Sequence, residues 1–165
     1  MKNRKKIISV LAVLTLMVST MVLFTGCNQF YKKKLVGVWE VKKITDKDGN
    51  DISAALLALM GTNIKQYAYF TDDGKHGSVL KGKVGAVSGI FKANETNYEF
   101  NNPKLTIKNG STSYTVDCEF SGNKLILKGK TGENIEGTVE LEKASSPSLD
   151  ECKNARKLQL PNIGG

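Results

Sequence analysis

Residues 105–127 read LTIKNGSTSYTVDCEFSGNKLIL, and this stretch decides the fold. Leu105 and Ile107 lead into Asn109-Gly110. That dipeptide suits a two-residue hairpin because both central positions of such a turn need a positive φ. Beyond it, Tyr114, Val116, Cys118 and Phe120 alternate with Ser113, Thr115, Asp117 and Glu119. Period two belongs to an antiparallel strand with one dry face and one wet face. Ser121-Gly122-Asn123 then turns the chain into Leu125 and Leu127.

The same pattern extends in both directions. Downstream, Ile135, Gly137, Val139 and Leu141 alternate with Glu136, Thr138, Glu140 and Glu142. Upstream, Ile64, Gln66, Ala68 and Phe70 alternate with Lys65, Tyr67, Tyr69 and Thr71, and Asp72-Asp73-Gly74 turns the chain. Strands are expected over 76–84, 87–93 and 96–100. The first strand runs through Leu35-Val36-Gly37-Val38-Trp39 to Ile44, and Asp46-Lys47-Asp48-Gly49-Asn50 is a turn cluster. Asp51 or Ser53 can cap a short helix through Ala54–Met60, with Gly61 as its stop. The spacing of about 10 residues per strand suits a sandwich or barrel. The fold class is all-β with one or two short helices, and the meander is close to the eight strands of a small up-and-down barrel.

Pro147 and a run of serines end the sheet. Ser148-Leu149-Asp150-Glu151 has the form of a capping box, which predicts a short helix to about Leu158 that presents Cys152.

The amino terminus says where the protein works. Lys2, Arg4, Lys5 and Lys6 precede an apolar run from Ile7 to Phe24, which ends in Leu23-Phe24-Thr25-Gly26-Cys27. This resembles a bacterial lipoprotein signal peptide, with Phe24 at the place where leucine is usual and Leu23 one position before it. The resemblance implies that residues 1–26 are removed and that Cys27 carries acyl chains such as palmitate. The chain would then be anchored on the extracytoplasmic face of the cell membrane. An uncut membrane anchor and plain secretion are the other readings of the same segment. Residues 27–34 are expected to be a polar, lipidated tether, 35–143 the barrel and 144–165 a tail with its short helix.

The net charge is +8, and Lys2, Arg4, Lys5 and Lys6 supply half of it. Lys32, Lys33 and Lys34 account for most of the rest and lie where an anionic leaflet would attract them. Arg156 is the one arginine after Arg4, and no basic helix or interleaved aromatic platform is present, which excludes a nucleic-acid partner. With Cys27 lipidated, Cys118 and Cys152 form an even pair in an oxidising compartment, which suggests a disulfide. Against it, the parity of Cys118 points its side chain inward.

Gly37-Val38-Trp39 opening the first strand resembles the Gly-x-Trp signature of lipocalins, and the meander that follows is similar to small lipocalin-like domains of bacterial lipoproteins. The resemblance covers about 35–143 and implies an antiparallel barrel that holds a small apolar ligand. By strand parity the interior candidates are Trp39, Val41, Phe70, Phe91, Tyr114, Val116, Leu125, Leu127, Val139 and Leu141. The helix Ala54–Met60 would cover the mouth. A small barrel can also be filled by its own side chains. A solid barrel would instead act through its loops and outer face as a cell-surface interaction module or inhibitor of another extracytoplasmic protein. An apolar cavity of about 300 Å3 or more separates the two readings.

Catalytic chemistry finds little footing. His76, beside Asp72-Asp73-Gly74, is expected to be a solvated turn residue, and no nucleophile or orienting group can be placed beside it. Asp46–Asp51 has a calcium-loop flavour, but an EF-hand beginning at Asp46 would need glycine at Asp51 and a bidentate acid at Leu57. Ser121-Gly122-Asn123-Lys124 matches Ser-x-x-Lys in letters only, because it lies on a hairpin tip. No enzyme activity, metal or cofactor is expected. Tyr67 and Tyr69, facing opposite to Phe70, offer an aromatic outer patch to a partner or pair across an ordinary sheet face.

Overall fold

The computed structural model describes residues 28–55, 63–84, 87–131 and 135–158. Ten strands follow in chain order: β1 (Gly37–Asp46), β2 (Lys65–Phe70), β3 (Lys75–Val84), β4 (Val87–Lys92), β5 (Thr96–Asn101), β6 (Lys104–Asn109), β7 (Thr112–Ser121), β8 (Lys124–Thr131), β9 (Ile135–Lys143) and β10 (Arg156–Lys157). Residues 28–35 form helix α1, residues 53–55 are helical (α2), and α3 spans Leu149–Lys153.

Neighbouring strands pair antiparallel in the order β3-β2-β1-β9-β8-β7-β6-β5, and β5 returns to β3 through Lys75↔Asn97 and His76↔Thr96. Eight strands therefore close a barrel, the architecture read from the meander. β4 and β5 are two halves of one strand along β3, interrupted at Ala93-Asn94-Glu95. Beyond that break, β10 alone among the described residues pairs with the far edge of β4, in parallel, through Arg156↔Phe91 and Lys157↔Lys92.

Strand β1 carries one irregularity that period two hides. Val41 pairs with Leu141 and Lys43 with Glu140, so Lys42 is an extra residue. A bulge of this kind shifts the alternation by one. Val41 and Ile44 therefore face the same interior, although their numbers differ by three.

The barrel has two unlike ends. One end gathers Gly37, Phe70, the Asn101–Lys104 turn and the Ser121–Lys124 turn. It is packed solid by Leu35, Trp39, Phe70, Tyr98, Phe100, Leu105 and Leu125, all buried. Helix α1 lies across this end. Its Tyr31 stacks on Phe120 with ring centroids 5.7 Å apart, and Trp39 Nε1 donates to the Leu35 carbonyl at 2.7 Å. The segment 28–34, expected to be a tether, is therefore part of the folded domain, because Leu35 and Tyr31 bury apolar surface against the core. The opposite end gathers Asp46, Lys65 and the Asn109–Thr112 hairpin, and it is the mouth.

A second apolar cluster lies outside the wall. Val38, Tyr67, Tyr69 and Val79 point away from the interior, and α3 covers them with Cys152 and Leu149. The capping box is present: Ser148 Oγ accepts from Glu151 N at 3.2 Å, and Ser148 N donates to Glu151 Oε2 at 2.7 Å. The helix stops at Lys153, short of Leu158, and hands over to β10. The aromatic outer patch is thus corrected: Tyr67 and Tyr69 do face outward, but they are 2% and 0% exposed because the chain's own tail lies over them.

The bridge between Cys118 and Cys152 is also corrected. Both thiols are free and buried. Cys118 belongs to the interior cluster and Cys152 to the outer one, so the sheet stands between them. Burial pushes the Cys118 thiol up to about 12 and, with the nearby Glu151 charge, the Cys152 thiol to about 11.

Candidate functional site

Above the solid end the interior opens into a cavity of about 240 Å3. Val41 and Ile44 of β1, Gln66 and Ala68 of β2, and His76 and Ser78 of β3 form one side. Ile107, Tyr114, Val116, Leu127, Val139 and Leu141, from β6 to β9, form the other, with Thr45 and Thr138 nearer the mouth. The sequence folds this way because small residues and short polar ones occupy inner positions on β2 and β3, where the solid end has Phe70. Ala68, Ser78 and Gly129 leave the space that larger side chains fill lower down.

Of the ten interior candidates, Val41, Tyr114, Val116, Leu127, Val139 and Leu141 line the cavity. Trp39, Phe70 and Leu125 are interior but lie in the packed end. Phe91 does neither. It sits on β4, past the break at 93–95, where the wall leaves the ring, and its neighbours are Leu80 and Arg156 by register. Tyr98 and Phe100 of β5 take the place in the core that Phe91 was expected to fill. Cys27 lies outside the described residues, as do residues 56–60 of the helix expected over the mouth.

His76 corrects the sequence reading most. It is a strand residue, not a solvated turn residue, because β3 already begins at Lys75. Parity then turns it inward with Ser78. Its ring packs on Phe70 with centroids 4.9 Å apart, and Nδ1 lies 3.3 Å from Thr96 Oγ1. Burial lowers its pKa to about 4, so the imidazole is neutral at neutral pH. The sequence signal was present in the parity His76-x-Ser78-x-Leu80. The acidic turn just before it masked that signal.

No aspartate, glutamate, lysine or arginine lines the cavity among the described residues. Burial also raises the pKa of Tyr114, which keeps its phenol protonated. The site is an apolar chamber with a few uncharged hydrogen-bonding groups, the composition typical of a small-molecule pocket. Among the described residues no cluster of histidine, cysteine or acidic groups has metal-binding geometry.

A family model for a lipocalin-like domain matches residues 35–127, from the end of α1 to the inner face of β8. The chain belongs to the lipocalin-like family. No curated protein matches it. Within this lipocalin-like domain Gly37 and Trp39 have visible structural work. Gly37 has φ +125°, and a Cβ there would come within 2.8 Å of Lys143 Nζ. Its absence lets the Lys143 side chain cross the end of the barrel and reach the Lys34 carbonyl at 3.2 Å.

Proposed function

We propose that this chain is a membrane-anchored, extracytoplasmic lipocalin-like lipoprotein without enzymatic activity, and that it holds a small apolar ligand in the barrel. The cavity carries the reading: at about 240 Å3 it falls short of the roughly 300 Å3 of a typical ligand pocket, yet it is open space and not a filled core, apolar on most of its surface, in a family whose fold encloses ligands. An apolar cavity of about 150 Å3 is enough to hold benzene. The chamber therefore suits a compact ligand, not a long chain.

The anchor rests on the lipoprotein-like pattern that ends at Cys27. The position of Asn28 supports it. Its Oδ1 accepts from Asn102 N at 3.0 Å, and its Nδ2 donates to Asn101 Oδ1 at 3.3 Å. An acyl chain on Cys27 would leave the domain at the solid end and turn the mouth away from the bilayer. Lys32, Lys33 and Lys34 of α1 would then lie near the headgroups, where each gains about 1 kcal/mol from an anionic leaflet. Among the described residues no helix is long and apolar enough to cross a membrane.

The interaction-module reading draws on one observation, that half of the barrel is solid. Native mass spectrometry of the protein purified from a lipid-containing extract, before and after organic extraction, separates the two. A bound mass that disappears on extraction supports the ligand reading. A clean apo mass both before and after extraction favours the interaction module. Metabolic labelling with palmitate, lost in Cys27→Ser, tests the anchor.

A further inference from the structure

The cavity has no counter-charge anywhere in its described lining, so an ionised ligand would enter without a partner. Burying an unpaired carboxylate or ammonium costs far more than apolar contact returns. The polar groups present are all neutral hydrogen bonders; of those without a protein partner among the described residues, the Gln66 amide and the Tyr114 hydroxyl can donate or accept, whereas His76 Nε2 is the one fixed as an acceptor. Thr96 Oγ1 donates to the His76 carbonyl oxygen at 3.4 Å, which leaves that hydroxyl oxygen to accept from Nδ1 at 3.3 Å. The carbonyl can only accept, so the hydroxyl proton is assigned to it and the ring proton to Nδ1, which makes Nε2 an acceptor. Nε2 has no partner among the described residues. It is not sealed in either, since no buried side-chain nitrogen or oxygen there lacks a partner. His76 lines the chamber, and its Nε2 is accessible and without a protein partner among the described residues.

We propose that the ligand is a compact uncharged molecule with one hydroxyl group, a phenol or small alcohol, whose O–H donates to His76 Nε2 while its apolar body lies among Val41, Val116, Leu127 and Val139. This rests on the ligand-binding reading above and narrows it. Hydrophobic area supplies most of the affinity, and the hydroxyl supplies selection. A site built to hydrogen-bond a substrate O–H rejects the analogue that lacks it.

Equilibrium dialysis of the full chain in phospholipid nanodiscs, with empty nanodiscs as the blank, tests this with three probes of one shape: 4-ethylphenol, ethylbenzene and 4-ethylbenzoate. The phenol is expected to bind at least tenfold more tightly than ethylbenzene, and the benzoate is expected not to bind at pH 7.5. His76→Phe should remove the preference for the phenol over ethylbenzene, with a cooperative thermal melt showing that the variant is folded. His76→Gln keeps an acceptor and should restore part of the preference. Equal or tighter binding of the benzoate overturns the proposal, as does a phenol preference that survives in His76→Phe. If ethylbenzene binds and the phenol gains nothing, the chamber is a ligand site but not for this class. If none of the three binds, the ligand reading itself fails and this inference fails with it.

Discussion

Lys143 lies over the face of Trp39, with Nζ 4.3 Å from the indole centroid. The same ammonium donates to the Lys34 and Val36 carbonyls at 3.2 and 2.5 Å. One side chain from the end of β9 thus ties together the last turn of α1, the entry to β1 and the largest plug in the core. Lys143→Met keeps the aliphatic stem and removes the charge. It is expected to cost about 2–4 kcal/mol, the sum of an exposed cation–π contact and a charged hydrogen bond. The urea midpoint should fall with no change in slope. Trp39→Phe, which leaves the Leu35 carbonyl without its donor, should cost about 2 kcal/mol or more by the same assay.

Gly77 pairs with Tyr69 across β2 and β3, and the Tyr69 ring lies directly over it. A Cβ at position 77 would collide with that ring. Tyr69 is fully buried beneath the tail, and its hydroxyl donates to Glu95 Oε2 at 2.8 Å, so it has little room to move. Gly77→Val is expected to destabilise the fold by about 2–3 kcal/mol, as overpacking does elsewhere. Gly122→Ala, at a hairpin tip with open space around it, should cost less. Thermal melts of the two variants side by side check the ranking.

His76 makes stability depend on pH with a defined sign. Its folded pKa of about 4 lies below the unfolded value near 6.5. Above the unfolded value both states are neutral and the stability is fully present. As pH falls from about 6.5 to about 4, only the unfolded chain takes up a proton, and the loss amounts to roughly 3 kcal/mol at 1.36 kcal/mol per pH unit. His76→Phe lacks this contribution. Urea midpoints at pH 7.5, 6 and 5 should therefore converge between wild type and variant as pH falls, or cross. Parallel curves would refute the buried neutral imidazole.

Cys118 and Cys152 are expected to be inert in the native state, since burial holds both thiols protonated. Ellman's reagent should find neither in the folded domain and both in urea. The intact mass should show two thiols, without the 2 Da loss of a bridge.

Much of the barrel was legible because its second half obeys period two without interruption. Tyr114, Val116 and Cys118 share a face and point inward, and Asn109-Gly110 turns where its chemistry requires. The candidate site was legible in part. Val139 and Leu141 follow from parity, but Ile44 does not, because the extra residue Lys42 resets the alternation and nothing local announces it. Phe91 looked interior for another reason: the strands over 87–93 and 96–100 were both expected in the ring, whereas β5 joins it and β4 leaves it. The outward direction of Tyr67 and Tyr69 could be read, whereas the cover over them could not. Period two gives a direction, and what lies there is settled by a segment about 80 residues away in sequence.

That cover has a consequence for the life of the protein in the cell. The α3–β10 segment seals an aromatic surface and also occupies the free edge of β4. An unprotected strand edge beside exposed tyrosines is a template for another chain. A chain cut short before Ser148 would retain its eight-stranded ring and its chamber, yet offer a sticky flank to its neighbours. Such a truncation would surface as aggregated, proteolysed material before it surfaced as lost binding. The last short stretch of the described chain is thus a guard on solubility, placed where a survey of ligand contacts would overlook it.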